Sequence, residues 1–152
     1  MSTIEEHIDV DVPLRTAYNQ WTQFEEFPQF MEGVDSVTQL TDSLLHWKIS
    51  IAGQTREFDA EITEQKPDDR IAWRALDGLG HAGVVTFHRI DDSTTRVMLQ
   101  METDPEGLVE KAGDALGLAK RRAKGDMERF KKFIEGRQVE TGAFRGELNN
   151  QG

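Results

Sequence analysis

The sequence predicts an α+β fold: a curved antiparallel sheet of about seven strands around one long C-terminal helix, with two short helices after the first strand. Three observations carry that prediction. Apolar and polar residues alternate at the start of the chain and again from Val34 to Met101. Short turn-rich gaps, too brief for crossover helices, separate the later alternating runs. From Leu108 to Ile134 apolar residues then recur at steps of three and four, the helical period.

Ile4, Ile8, Val10 and Val12 share one parity, so residues 3–12 read as a strand with one buried face. Pro13 suits a first helical position, and Ala17, Tyr18 and Trp21 follow at helical spacing. A second short helical piece covers Glu25 to Met31, with Phe24, Phe27, Phe30 and Met31 on its apolar side. Pro28 falls near its first turn, where a missing amide donor does little harm. Beyond Val34, Leu45, Trp47, Ile49 and Ile51 alternate with polar residues, as do Phe58, Ala60 and Ile62. Ile71, Trp73 and Ala75 resume after the turn Lys66-Pro67-Asp68-Asp69; Val85 and Phe87, then Val97, Leu99 and Met101, complete six strands in a meander.

Asp104 is a good N-cap for the last helix, Pro105 fits its first turn and Glu106 favours its positive end. Its stripe is Leu108, Ala112, Leu116, Ala119, Ala123, Met127, Phe130 and Ile134, with Gly136 as the expected stop. Residues 1–137 read as a single domain. Residues 138–152 are polar, Phe144 being their only aromatic, and are expected to form a mobile tail.

Composition narrows the function. Without cysteine there are no disulfides or thiolate metal sites. The acidic, alternating first residues do not resemble a secretory signal, and no apolar run approaches the roughly 20 residues of a membrane span. A cytoplasmic location is therefore expected. A net charge of −10 argues against nucleic acid as partner. The charge is uneven, however, and residues 120–137 carry eight basic side chains against three acidic ones. Solvated cations near a helix C-terminus explain this; a patch for an acidic partner or an anionic surface is the alternative.

A ligand would lie between sheet and helix. The first half of the helix presents Ala112, Ala115, Ala119 and Ala123 with Gly113 and Gly117 nearby, and its second half presents Met127, Phe130, Phe133 and Ile134. Small residues let a helix approach the sheet closely or leave a void, and a sizeable void usually marks a binding site. The candidate cavity residues are Phe30, Trp47, Arg56, Phe58, Trp73, His81, Phe87, Leu99, Ala112, Leu116 and Ala119. By strand parity Arg56 lies with Phe58, Glu64 with Ile62, Arg89 with Phe87 and His81 with Val85. Arg56, His81 and Arg89 are the polar groups expected to orient a ligand carbonyl or carboxylate.

Other signals read as structure. Gly78, Gly80 and Gly83 match a dinucleotide fingerprint, but strand residues follow where a helix would have to begin. The four histidines, His7, His46, His81 and His88, lack metal-ligand spacing, so neither metal nor cofactor is expected. Glu57, Asp59 and Glu61 line the polar face of their strand, and no Gly-x-Ser-x-Gly nucleophile occurs. No catalytic residue is assigned.

The segments Glu25-Glu26-Phe27-Pro28-Gln29-Phe30-Met31, Arg56-Glu57-Phe58-Asp59-Ala60, Pro67-Asp68-Asp69-Arg70-Ile71-Ala72-Trp73 and Asp126-Met127-Glu128-Arg129-Phe130-Lys131 resemble the polyketide cyclase/dehydrase branch of the helix-grip, START-related superfamily. The tail Glu140-Thr141-Gly142-Ala143-Phe144-Arg145-Gly146-Glu147 is similar to that of a bacterial cyclase/dehydrase-like subgroup. The resemblance implies a helix-grip fold that binds a polyketide-, lipid- or quinone-like molecule. It also implies one alternative, an aromatase/cyclase or dehydratase acting on a poly-β-ketone; separately, the basic helix end and the tail around Phe144 suggest an interaction module. Aromatase/cyclases of the family use a cavity tyrosine and arginine, and alignment places Val34 and Gln65 at those positions. One fold hosts many functions, so the leading expectation is a binder rather than an enzyme.

Overall fold

Alternation in the first ten residues produces β1 (Ser2–Val10), whose Ile4 and Val10 are buried. Pro13 then stands just outside the first turn of α1 (Leu14–Trp21), as its N-cap rather than its first residue, because its ψ of 154° is extended. A 3₁₀ helix (Phe24–Gln29) follows, with Pro28 inside it. The computed structural model describes residues 2–51, 53–76, 82–103, 112–146 and 148–149, with side chains at all of these except 2, 51, 103, 112–119, 148 and 149.

The meander is β2 (Val34–Gln39), β3 (Leu44–Ile51), β4 (Gln54–Lys66), β5 (Arg70–Ala75), β6 (Ala82–Asp91) and β7 (Thr94–Thr103). All neighbours are antiparallel, in the order β1-β7-β6-β5-β4-β3-β2, giving a curved half-barrel. The expected α+β fold is therefore observed. The expected cap at Asp104-Pro105 lies outside the described residues. The last helix, α2 (Ala112–Arg137), runs through Gly136 and stops one residue later. Gln138 makes the closing left-handed turn at φ 62°, its N–H donating to the Ile134 carbonyl at 2.8 Å.

The second half of α2 spans the concave face and is tied to both sides of the sheet. Lys131 donates to the Asp9 carbonyl at 2.9 Å beside β1, and Glu135 accepts from the Asp11 amide at 2.7 Å. On the other side Arg129 donates to the Phe30 carbonyl at 3.0 Å and Arg122 to the Ser50 carbonyl at 3.2 Å. The apolar stripe of this half, Ala123, Met127, Phe130 and Ile134, is buried as its spacing predicts. Edge-to-face aromatic contacts fill this end, with Trp21 and Phe30 at 4.8 and 5.2 Å from the Phe130 centroid.

Residues 138–146 lie against α1. Gln20 donates to the Thr141 hydroxyl at 3.0 Å and accepts from its amide at 2.8 Å, while the Phe144 amide donates to Thr22 at 3.0 Å. Arg145 reaches Asn19 and Asp68, both at 2.7 Å. The physical reason is that Asn19, Gln20 and Thr22 are buried polar side chains that need partners, which the tail supplies. A final short strand, β8 (Leu148–Asn149), pairs with Gln65 and Glu64 of β4, beyond the point where β3 has ended.

Candidate functional site

Between the half-barrel and α2 lies a cavity of about 210 Å³. The sheet contributes Ile4, Val34, Leu45, Trp47, Ile49, Ile62, Ile71, Trp73, Leu99 and Met101, and the helical segment after β1 contributes Trp21, Phe24 and Phe27. Ala123 and Met127 of α2 form the roof. The chain's three tryptophans all line this one space. Among the described residues its polar lining is Ser50, Arg122 and Asp126, which are partly exposed, whereas Ile4, Leu45, Ile62 and Ile71 are buried. The cavity is thus apolar in depth and charged at its mouth.

Of the residues expected from sequence to line it, Trp47, Trp73 and Leu99 do so. Phe58 lies beside Trp47, its cross-strand partner, stacked on it with centroids 6.2 Å apart and planes 2° from parallel, and is not part of the lining. Phe30 packs between Phe130 and Phe133, and Phe87 lies edge-on to Tyr18 at 5.3 Å; neither is part of the lining. Arg56 donates to Gln54 at 3.3 Å and Arg89 pairs with Asp92, both away from the cavity. His81 lies outside the described residues, as do the side chains of Ala112, Leu116 and Ala119.

Parity fails within β4. A bulge between Ile62 and Glu64 shifts the register of β4 against β5, so Gln65 rather than Glu64 turns inward. Gln65 is 1 % exposed, and Glu64 instead faces Arg70 at 3.5 Å. The inward Gln65 is not part of the cavity lining; it lies beside Tyr18, whose phenol burial pushes above its ordinary pKa, offset in part by the Gln65 amide. Val34, at the other position where family enzymes carry a functional side chain, does line the cavity, as an apolar group.

The charged mouth comes from α2. Arg122 and Asp126 are four residues apart, hence one above the other on the helix, flanking the buried Ala123 and Met127. Asp126 accepts from the Glu32 amide at 3.1 Å and from Arg129, which also pairs with Glu32 at 3.4 Å. Burial pushes the Asp126 carboxyl above its ordinary pKa, against the opposing pull of the Arg129 hydrogen bond. Arg122 lies across Gly33, where a Cβ would stand 2.1 Å from its Nη1, so only glycine leaves it room. Among the described residues Arg122 makes no ion pair; its hydrogen bond to the Ser50 carbonyl is to a neutral acceptor. The same residues hold no cluster able to ligate a metal, and no helix long and apolar enough to cross a membrane.

The sequence profile of the polyketide cyclase / dehydrase and lipid transport family matches residues 10–132. The chain belongs to this family. It is 61% identical over 147 residues to an uncharacterised 17.2 kDa protein of Streptomyces lincolnensis, spanning 96% of this chain and 98% of that one. Two solved structures share its fold. Zhui aromatase/cyclase from Streptomyces sp. R1128 superposes with a TM-score of 0.75 at 13% identity, covering 94% of this family member and 99% of its own chain. A START superfamily protein from Mycobacterium smegmatis gives 0.69 at 17% identity, covering 89% and 95%.

Proposed function

We propose that the protein binds a compact hydrophobic small molecule, polyketide-, lipid- or quinone-like, between its sheet and α2. The single observation that carries this reading is an apolar cavity of about 210 Å³ with three tryptophans in its walls. An engineered apolar cavity of about 150 Å³ in another protein holds benzene, so this space suits a ligand of one or two rings. Burial of ligand surface at roughly 25 cal/mol per Å² supplies most of the affinity. The family's description, covering both cyclases and lipid transport, supports a ligand-holding role.

Cyclisation or dehydration of a poly-β-ketone is the second reading, favoured by the fold shared with an aromatase/cyclase. Such chemistry needs a proton donor and an electrostatic stabiliser at the substrate. Val34 has no proton to give and Gln65 lies off the cavity, so among the described lining residues Asp126 and Arg122 are the charged groups such turnover could use. Native mass spectrometry of protein purified from its own host distinguishes the readings. A retained small molecule, lost on denaturation and absent from an Ala123→Trp variant that fills the cavity, supports binding. Protein that leaves the host empty, with no affinity for apolar ring compounds, would overturn it.

A further inference from the structure

The mouth of the cavity carries more specificity than its apolar depth. We infer that the ligand is an amphipathic acid, with a carboxylate held by the Arg122 guanidinium and an apolar ring body among the tryptophans. This rests on the binding role proposed above and names the chemistry of its ligand.

Among the described residues five charged groups bear on the mouth: Arg122, Asp126, Arg129, Glu32 and Asp35, the last exposed to water and accepting from the Ser50 hydroxyl at 2.7 Å. Glu32 is 64% exposed, and water screens it as well. The other three are partly buried and sum to one positive charge. Asp126 is already held by Arg129 and the Glu32 amide. Arg122 acts on Asp126 through space and makes one hydrogen bond among the described residues, to the Ser50 carbonyl at 3.2 Å, and a guanidinium has five N–H donors in a fork that fits a carboxylate. A monoanion therefore balances the mouth, whereas a phosphate dianion would overcharge it and face Asp126 at closer cost. A cationic head would meet two arginines.

The position of Arg122 is built rather than incidental. Its guanidinium crosses the chain at Gly33, whose carbonyl accepts from the Ser50 amide at 2.8 Å. The two backbone strands thus meet directly beneath the arginine, and the missing Cβ of Gly33 is the space it occupies. An alanine there would push the guanidinium aside without touching the cavity depth.

The test compares three probes of one shape: naphthoate, naphthalenemethanol and naphthylmethylammonium, titrated into the intact protein by calorimetry. The wild type should bind naphthoate about ten- to a hundredfold more tightly than the alcohol, the range for a hydrogen-bonded charge. Arg122→Met should abolish that preference while the alcohol keeps its affinity within about threefold. Gly33→Ala, which retains the charge but moves it, should reduce the preference and serves if the first variant misfolds. Equal affinity for acid and alcohol in the wild type, or a preference that survives in both variants, overturns the assignment of Arg122 while leaving the binding role intact. Failure of all three probes would count against the binding role itself.

Discussion

Replacing Arg145 with alanine removes three contacts at once. Its Nη1 donates to Asn19 and its Nη2 to Asp68, each at 2.7 Å, and its guanidinium carbon lies 5.6 Å from the Tyr18 ring centroid. The Asp68 pair is partly shielded, with side chains 29% and 34% exposed, and belongs near the upper end of the ~0.2–1 kcal/mol of surface pairs. The hydrogen bond to buried Asn19 adds about 1 kcal/mol and the cation–π contact about 0.5–1 kcal/mol. Together these give a loss of about 2–3 kcal/mol, equivalent to a Tm lower by about 5–10 °C for a chain of this size. Urea unfolding should show a lower midpoint with an unchanged slope, and the tail should become sensitive to protease. A loss under about 0.5 kcal/mol with the tail still protected would refute the view that Arg145 holds residues 138–149 to the domain.

Other perturbations report on other parts of the fold. A Cβ at Gly83 would stand 2.4 Å from the Trp73 ring, so Gly83→Ala should cost about 1–3 kcal/mol and shift the tryptophan emission. Gln138→Gly should raise stability by about 0.5–1 kcal/mol by relieving the left-handed φ of 62°; an unchanged midpoint would show that the side-chain bond to the Glu135 carbonyl offsets the strain. His46 titrates above its ordinary value because Asp59 and then Glu57 hydrogen-bond its ring. A raised folded pKa means that the stabilisation is complete below the unfolded value, about 6.5, and is lost as pH rises through the folded one. Proton NMR should find the His46 midpoint elevated, and Asp59→Asn should lower it more than Glu57→Gln.

The elements were legible in the sequence because burial imposes a period. Ile4 and Val10, Val85 and Phe87, and the run from Ala123 to Ile134 each repeat at the spacing of their element. The candidate site was less legible, for two reasons. Residue parity stops holding at the β4 bulge, and nothing local in Ile62-Thr63-Glu64 announces an extra residue, so Gln65 was read as outward. Arg122 and Asp126 were counted with the solvated charges of the last helix. Their spacing held the signal: each precedes a buried stripe residue, Ala123 and Met127, and so lies on the flank nearest the cavity. The contacts of Thr141, Phe144 and Arg145 were not legible because their polar surroundings hide the fact that α1 buries Asn19, Gln20 and Thr22 with them.

The pairing of β1 with β7 joins Ser2 to Thr103, the two ends of a loop nearly two-thirds of the chain long. β1 therefore precedes its partner by about 100 residues of synthesis. At about 5–20 residues per second, Ile4, Ile8 and Val10 wait roughly 5–20 s on the ribosome before β7 exists. Through that interval β1 is an apolar strand without its sheet neighbour, open to aggregation until β7 is made.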